Sequence, residues 1–334
     1  MIIDPQDGQS VVLTIDEMAQ SILEDYCNAL YTDHAPNSVQ GLVMDVTTGE
    51  ILAMANIPQF DLNDPPRDDA SALAALSVNT ITATPYEPGS IFGVFTTAAA
   101  LNESATGEYT CNGSDVIDGE KISCSAVHGT QNMLQAVQNH CSIAAAQQAN
   151  ALGKDTFYQY LKAFGFGEKT GIDFATDTLG DVMEKKYARQ ADVALMGAGE
   201  NMKVSQIQMA DALSSLLNGG TLYTPRLVLG LADGNGNIVE QYDAEVKGQT
   251  VTADVASQLK TMMLDYIQSG DGGEAQIAGY SVGGISGSSM LYDGDVPVQD
   301  KVISSFFAFA PADNPRYLVM VTANGISAGD NRCV

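Results

Sequence analysis

The sequence predicts an α+β domain in which the two ends of the chain build one sheet and a helical block is inserted between them. Short runs rich in β-branched residues occur before residue 60 and again after residue 225. Between these runs, apolar residues recur at intervals of three and four, which is typical of helices. A length of 334 residues suits one large domain, and no internal repeat or linker-like segment divides it. We expect a single domain over 1–334, with a sheet lobe at about 1–90 and 225–334 and a helical lobe at about 91–224.

The N-terminal elements can be assigned in order. Ser10–Ile15 is a β-branched run, and Thr14-x-x-Glu17 has the pattern of a capping box that opens a helix. Two apolar runs follow and meet at a tight connection, in which Gly49 supplies the positive φ that a hairpin needs. Pro58–Asp69 is rich in Pro, Asp and Asn, and we expect it to be a loop.

The helical block and the C-terminal elements follow. Helical spacing is predicted over Ile91–Leu101, Met133–Leu152, Asp155–Phe164 and Val204–Leu217. A turn beginning at Asp233 then joins the strand-like runs Leu227–Leu231 and Ile238–Tyr242. An amphipathic helix is predicted over Thr252–Gln268. The last predicted strands are Tyr280–Gly284, Val302–Ala310 and Tyr317–Thr322.

Charge and hydropathy restrict the partners of the chain. It has 41 acidic and 15 basic residues, which gives a net charge of −26 at pH 7. Such a surface repels nucleic acid and anionic membranes, so we expect neither as a partner. No apolar stretch approaches the roughly 18 residues of a membrane span. The first ten residues also lack the basic and apolar regions of a signal peptide, so we expect a soluble chain.

The cysteines show no paired spacing of the kind that zinc ligands have. They are Cys27, Cys111, Cys124, Cys141 and Cys333, and the chain has three histidines, so we expect no metal site. The residues from Cys111 to Cys124 alternate around Asp118-Gly119, which predicts a short hairpin that brings the two sulfur atoms together. A disulfide there would imply an oxidising compartment. Two unrelated thiols are the alternative, because spacing alone does not fix connectivity.

Ser90 is the first candidate for a catalytic residue. Pro88 and Gly89 precede it and an apolar helical run follows, which predicts that Ser90 lies at a helix N-terminus. Unpaired N–H groups and the helix dipole favour developing negative charge at such a position, and this suits a nucleophile. On residue type alone, a helix-capping role is the better explanation of the serine.

The segment YEPGSIFGVFT, which contains Ser90, resembles the Tyr-Glu-Pro-Gly-Ser-Thr-Phe-Lys motif of the transpeptidase domain of class B penicillin-binding proteins. Further segments resemble that family in its own order, from GLVMDVTTGEILAMAN to ISSFFAFAPADNPRYLVMV, and cover essentially the whole chain. The resemblance implies a five-stranded antiparallel sheet flanked by helices, with an all-helical lobe, as in serine β-lactamases. It also implies that Ser90 attacks the D-Ala-D-Ala peptide of peptidoglycan precursors or a β-lactam, without a cofactor.

The chain departs from the family at three motifs. The matching positions are Gly93 for the lysine of Ser-x-x-Lys, His140-Cys141-Ser142 for Ser-x-Asn and Ile285-Ser286-Gly287 for Lys-Thr-Gly. The lysine of the first motif is the base that takes the serine proton, since residues i and i+3 share a helix face. The lysine of the last motif is the cation that holds the substrate carboxylate. Both lysines are missing here.

These losses predict a transpeptidase-like domain of peptidoglycan synthesis that is catalytically impaired and acts as a binding or scaffold module. The alternative is an active serine acyl enzyme, a D,D-transpeptidase, carboxypeptidase or esterase, in which His140 is the base for Ser90. Drift of position 140 after the loss of catalysis is the simpler explanation of the histidine. We expect Cys141 to be packed within a helix rather than reactive.

The resemblance also implies partners and a location. A peptidoglycan stem peptide or a β-lactam would bind weakly, and other cell-wall synthesis proteins would be partners. The family acts at the extracytoplasmic face of the bacterial cytoplasmic membrane. Because this chain shows neither a signal peptide nor an anchor, we expect it to be a fragment or the product of a pseudogene.

Overall fold

The computed structural model describes residues 8–105, 107–270, 272–294 and 296–329. The strands are β1 (Ser10–Leu13), β2 (Ser38–Asp45), β3 (Glu50–Ile57), β4 (Tyr109–Cys111), β5 (Ser114–Ile117), β6 (Glu120–Ser123), β7 (Gly129–Gln131), β8 (Thr221–Tyr223), β9 (Val228–Ala232), β10 (Ile238–Gln241), β11 (Val246–Gln249), β12 (Gly283–Asp293), β13 (Val296–Ala310) and β14 (Tyr317–Ser327). The α-helices are α1 (Glu17–His34), α2 (Ala70–Leu76), α3 (Thr80–Ala83), α4 (Gly93–Asn102), α5 (Met133–Gln138), α6 (Ser142–Ala163), α7 (Gln190–Gly197), α8 (Gln206–Leu217) and α9 (Ala253–Ser269). Within these ranges, none of the helices combines the length and the hydropathy of a bilayer-spanning segment.

The central sheet is antiparallel, and its strands come from both ends of the chain. Their order is β12-β13-β14-β2-β3. In the middle of the sheet β14 pairs with β2, where Met320 lies opposite Leu42. This pairing joins the two ends of the chain and encloses the helical segment between them. The predicted α+β class with a five-stranded antiparallel sheet is confirmed, whereas the division into lobes at residues 90 and 225 stays a prediction.

Helices cover both faces of this sheet. Alternate residues of β2 point to opposite faces. On one face Gly41 lies so close to α1 that a Cβ atom at this position would be 2.6 Å from the sulfur of Cys27. On the other face Gln206 of α8 donates side-chain hydrogen bonds to the carbonyl oxygens of Gln40 and Met320, at 3.3 and 3.0 Å. Every residue of α8 is buried, as expected for a helix enclosed on all sides.

Short strands lie between α4 and α5. β4 pairs with β7, and β5 pairs with β6. The predicted hairpin at Asp118-Gly119 is confirmed, because both residues have positive φ, 51° and 84°, and join β5 to β6. Cys111 and Cys124 flank this hairpin, so the fold brings the two ends of the segment close together.

The predicted helix Met133–Leu152 is wrong as a single helix. The helix is interrupted between α5 and α6, because His140 has a φ of 48° and cannot continue a right-handed helix. Cys141 is the N-cap of α6 rather than an interior residue, and its sulfur accepts the N–H of Ala144 at 3.4 Å. The apolar spacing continues across the break, so the sequence pattern does not show it.

Two other predicted boundaries are also wrong. Asp16 caps α1 by accepting a backbone N–H of the first turn, whereas the Thr14 hydroxyl donates to the carbonyl oxygen of Ile51. β12 begins later than predicted, since Tyr280 closes a turn by donating its N–H to the carbonyl oxygen of Ile277 at 3.0 Å. β12 also extends to Asp293, beyond the predicted end at Gly284, so the whole Ile285-Ser286-Gly287 segment lies inside the strand.

Candidate active site

Ser90 lies in a 3-10 turn that leads directly into α4. The turn packs closely against β12. A Cβ atom at Gly89 would lie 2.1 Å from the carbonyl oxygen of Ser288, and one at Gly287 would lie 2.6 Å from the backbone nitrogen of Ile91. Gly89 also has a φ of 65°, which favours glycine. The two glycines therefore allow the backbones to approach and hold Ser90 beside β12.

A cleft of about 840 Å³ brings most of the predicted site residues together. Its lining includes Ser90, His140, Ser142, Ser286 and Gly287. A small cavity next to the cleft is lined by Ser90, His140, Gly93 and Ile285. The residues that the sequence matches to three separate motifs thus lie around one opening.

His140 is positioned by β12 and α9. Its Nε2 atom lies 3.4 Å from the hydroxyl oxygen of Ser286, which lies 2.9 Å from the hydroxyl oxygen of Tyr266. The Tyr266 ring also contacts the imidazole edge to face, with ring centroids 4.9 Å apart. Tyr266 could not be recognised as a site residue from the sequence, because it follows the apolar stripe of α9 and has the pattern of a core residue.

The cavity beside Gly93 holds a buried polar pair. The Thr97 hydroxyl donates to Oε1 of Gln148 at 2.9 Å, and Nε2 of Gln148 has no hydrogen-bond partner in the described part of the chain. The cavity volume is about 10 Å³, which is room for about one water molecule. A Cβ atom at Gly93 would lie 3.4 Å from that of Ala145. The site therefore accepts a methyl group, whereas a lysine side chain would have to reach into the cleft.

The charges around the cleft are negative. Among the described residues that line it there is no lysine or arginine, while Glu200 and Glu274 contribute carboxyl groups. Ile285, at the position of the motif lysine, is 1% exposed and belongs to the main hydrophobic core. A ligand carboxylate would therefore meet acidic side chains, and neither lysine nor arginine among the described lining residues.

Glu200 is a titratable group that the sequence analysis did not identify. It lies in the turn after α7 and lines the cleft. Burial, followed by the charges of Glu87 and Cys124, raises the pKa of Glu200 to about 7. Burial also raises the pKa of Glu87, although its carboxylate accepts the N–H of Asn201 at 3.1 Å. An acidic residue in a glycine-containing turn is the only sequence signal for this group.

A second group of reactive side chains lies at one wall of the cleft. It consists of Cys111, Cys124, His128 and Cys141, whose sulfur and imidazole nitrogen atoms all lie within 4.8 Å of one another. The cysteines are free thiols, so the disulfide between Cys111 and Cys124 stays a prediction. Cys333 lies outside the described residues. This group could not be recognised from the sequence, because the end of β4, the loop between β6 and β7 and the start of α6 each contribute to it.

Hydrogen bonds at the start of α6 polarise the thiols. The Cys141 thiol, together with the backbone N–H groups of Ala126, Ser142 and Ile143, lowers the pKa of Cys124. The neighbouring Cys124 and burial raise the pKa of Cys141. Cys124 is therefore the thiol that ionises first.

Residues 40–331 match the family model described as the penicillin binding protein transpeptidase domain. The chain belongs to this family. Stage V sporulation protein D of Bacillus subtilis is 31% identical over 327 residues, which are 96% of this chain and 50% of that protein. The probable peptidoglycan D,D-transpeptidase PenA of Neisseria gonorrhoeae is 26% identical, with 95% and 53% covered. The transpeptidase domain thus spans about half the length of the curated relatives it matches, and the resemblance to class B proteins is confirmed.

Solved structures share the fold of this transpeptidase domain. Apo penicillin binding protein 3 from Mycobacterium tuberculosis superimposes with a TM-score of 0.87 at 22% identity, over 96% of this chain and 74% of that one. The transpeptidase domain of penicillin-binding protein 3 from Burkholderia pseudomallei superimposes with a TM-score of 0.80 at 24% identity, over 95% of this chain and 89% of that one. The Mycobacterium tuberculosis protein has also been solved with aztreonam and with ampicillin.

Proposed function

We propose that this transpeptidase domain acts in peptidoglycan synthesis as a binding or scaffold module whose acylation by D-Ala-D-Ala peptides or β-lactams is very slow. The observation that carries the proposal is a cleft that keeps Ser90 in its turn but has Gly93 and Ile285 at the positions of the two lysines. Loss of a catalytic base in serine hydrolases costs on the order of 10⁴ to 10⁶ in rate. Loss of a charged hydrogen bond to the substrate costs a further 1.5 to 3 kcal/mol, roughly.

The cleft remains suitable for binding a peptide weakly. Hydroxyl groups line it, from Ser123, Ser125, Ser142, Ser288 and Ser304. Such groups can donate to or accept from the amides of a stem peptide. The negative lining opposes the terminal carboxylate, so affinity would come from the peptide amides. The relatives named as peptidoglycan D,D-transpeptidases support this ligand class, and the family supports a location at the extracytoplasmic face of the cytoplasmic membrane, with cell-wall synthesis proteins as partners.

A second candidate function is an active serine acyl enzyme in which His140 takes the proton of Ser90. It is favoured by one observation, which is that both residues line the same cleft and the same small cavity. A general base must come within about 2.6 to 3.2 Å of the serine oxygen in the substrate complex. The Ser286 hydroxyl now lies near Nε2 of His140, so the imidazole would have to exchange this neighbour for Ser90.

Intact-mass spectrometry after incubation with a penicillin tests both functions. We expect no covalent adduct within hours, under conditions in which an active class B protein is fully labelled. Rapid labelling that disappears in Ser90→Ala would contradict the impaired function. If His140→Ser also abolished that labelling, the second candidate would replace the first.

A further inference from the structure

We propose that Cys111, Cys124, Cys141 and His128 bind one Zn²⁺ ion that fixes the wall of the cleft. Three sulfur atoms and one imidazole nitrogen form the Cys₃His donor set of closed structural zinc sites. All four ligand atoms lie within 4.8 Å of one another, and Cys124 Sγ is 3.6 Å from Nδ1 of His128.

The distances fit a tetrahedral ion after a small contraction. Ligands at 2.0 to 2.3 Å from a tetrahedral zinc ion lie about 3.4 to 3.8 Å from one another. The separation of Cys124 and His128 is already in this range. The widest pairs have to close by roughly 1 Å. Rotations about the side-chain bonds of Cys124 and His128, which are partly exposed, can supply that movement.

Zinc binding would release protons and change the net charge of the site. Zn²⁺ replaces the protons of three thiols, which pass to solvent, and the histidine stays neutral, so the complex carries one net negative charge. That charge lies at the N-terminus of α6, where Cys141 already accepts the N–H of Ala144. Cys111 gives up a weak contact, in which its sulfur lies 3.4 Å from the carbonyl oxygen of Ala126.

A constraint of this kind would stabilise the local fold. The segment from β4 to β7 consists of strands of three and four residues in two-stranded pairs, which are marginal by themselves in water. The apolar cluster beneath it is small and consists partly of alanines and of Cys111 and Cys141 themselves. Small units with little core commonly depend on a metal ion or a disulfide.

The ion would connect this segment to the active site. Cys141 lies between His140 and Ser142, and His128 lines the cleft beside Ser125. With four protein ligands there is no open position for substrate, so zinc here is structural. The inference concerns this structural role and holds whether or not Ser90 acylates.

The test measures metal in the complete chain, purified with a thiol reductant and without chelators. We expect elemental mass spectrometry to find about one Zn²⁺ per chain. Exchange with Co²⁺ should give the charge-transfer and d–d absorption bands of a tetrahedral thiolate site. Thiol titration of the folded protein should show three fewer reactive cysteines with zinc than after its removal by a chelator.

Variants of the proposed ligands test whether these side chains bind the zinc ion. His128→Ala and Cys111→Ser should weaken Zn²⁺ binding by more than the roughly 10- to 100-fold that loss of a supporting partner costs. Cys27→Ser is the matched control, because Cys27 is a buried free thiol that packs in a different cluster beneath α1, and it should keep the metal. His128 is only partly buried, so circular dichroism can show that its variant is folded.

Three results would overturn the inference. One is a reduced, folded chain that takes up no Zn²⁺ in competition with a chromogenic chelator. Another is equal zinc affinity in the wild type, His128→Ala and Cys111→Ser. The third is a disulfide among Cys111, Cys124 and Cys141 that persists in the native protein and whose reduction does not create zinc binding.

Discussion

Asp211, in the middle of α8, shows how burial and ion pairing compete at one residue. Its side chain is 3% exposed, and one carboxylate oxygen lies 3.8 Å from Nζ of Lys247. The other oxygen has no hydrogen-bond partner among the described residues. Burial outweighs the attraction of Lys247 and raises the pKa of Asp211 to about 8. The carboxyl group is therefore mostly protonated in the folded protein at neutral pH.

We expect Asp211→Asn to raise the stability at about pH 8 and to flatten its pH dependence. The unfolded carboxyl titrates near its ordinary pKa of 3.8, so between there and about 8 the folded state holds a proton that the unfolded state has lost. Binding of this proton stabilises the folded state fully below the pKa of the unfolded carboxyl group. The stabilisation is lost as the pH rises through the pKa of the folded one. Urea unfolding of the wild type and of Asp211→Asn across this pH range measures the pH dependence of the unfolding free energy. A variant less stable than the wild type at pH 8 would mean that the ion pair with Lys247 stabilises the fold.

Gly93 is a residue at which the family's function and helix stability can be separated. Its φ and ψ are −54° and −23°, and a Cβ atom would have an ordinary contact with Ala145. We expect Gly93→Ala to stabilise the protein by about 0.5 to 1 kcal/mol, since alanine loses less backbone entropy in a helix. Denaturant unfolding at constant pH gives the value.

Gly89→Ala is the control for Gly93→Ala, because it should change the stability in the opposite direction. Gly89 has positive φ, and its Cβ atom would overlap the carbonyl oxygen of Ser288. A clear loss of stability is expected at this position. If Gly93→Ala were as destabilising as Gly89→Ala, the space beside Ala145 would be smaller than its contacts indicate.

At the scale of elements, the motifs could be located from sequence because they keep their order along the chain. Ser90, His140 and Ile285 lie on three elements far apart in sequence, and the fold brings them to one small cavity beside the cleft. The break at His140 could not be predicted. Its left-handed turn fits between β12 and α9 through Ser286 and Tyr266, and such tertiary contacts leave no trace in the local spacing of apolar residues.

The burial of Ile285 in β12 determines how motif restoration should be attempted. We expect Ile285→Lys alone to lower the unfolding free energy by about 3 kcal/mol or more, because it places an ammonium group where the side chain is 1% exposed. Chemical denaturation measures the loss. Ile285→Met is the control for shape, and it should cost less than about 1.5 kcal/mol.

Restoring the other motif residues together should reduce that cost. Combining Ile285→Lys with Gly93→Lys, His140→Ser and Ser142→Asn supplies oxygen partners for the ammonium groups around one cleft, so the effects should not add. Penicillin labelling should then exceed that of every single variant. An unchanged stability in Ile285→Lys alone would show that position 285 can reach solvent. A folded but unreactive fourfold variant would show that the family's mechanism no longer fits this cleft.

At the scale of the whole molecule, the closure of the sheet by both chain ends could be predicted, while the cysteine and histidine group could not. Strand-like runs at the two ends already require a sheet that joins them. In contrast, Cys111 and Cys124 flank a predicted hairpin and His128 follows Cys124 by four residues, but the spacing does not relate these residues to Cys141. Rules for metal sites depend on pairs of ligands that are close in sequence, and here Cys111 and Cys141 join Cys124 and His128 only through the fold.

The net charge is the property of the whole chain with the most direct effect on stability. With 41 acidic and 15 basic residues, compaction brings like charges together. Several ion pairs, such as Lys162 with Glu168 and Lys186 with Glu184, are largely exposed and contribute little. Repulsion between carboxylates therefore dominates the electrostatics of folding at neutral pH.

We expect sodium chloride to stabilise the fold at neutral pH, with most of the gain between about 0.01 and 0.15 M, where the screening length falls from roughly 30 to 8 Å. Screening reduces repulsion among many carboxylates but weakens only a few ion pairs, so the melting temperature should rise. Potassium chloride should act equally, and sucrose at matched osmolality should give a smaller rise, which separates screening from exclusion of cosolute. Repeating the titration near the isoelectric point of about 4.1 removes the charge imbalance and should abolish the effect. A melting temperature that fell with salt at neutral pH would mean that specific ion pairs outweigh the net repulsion.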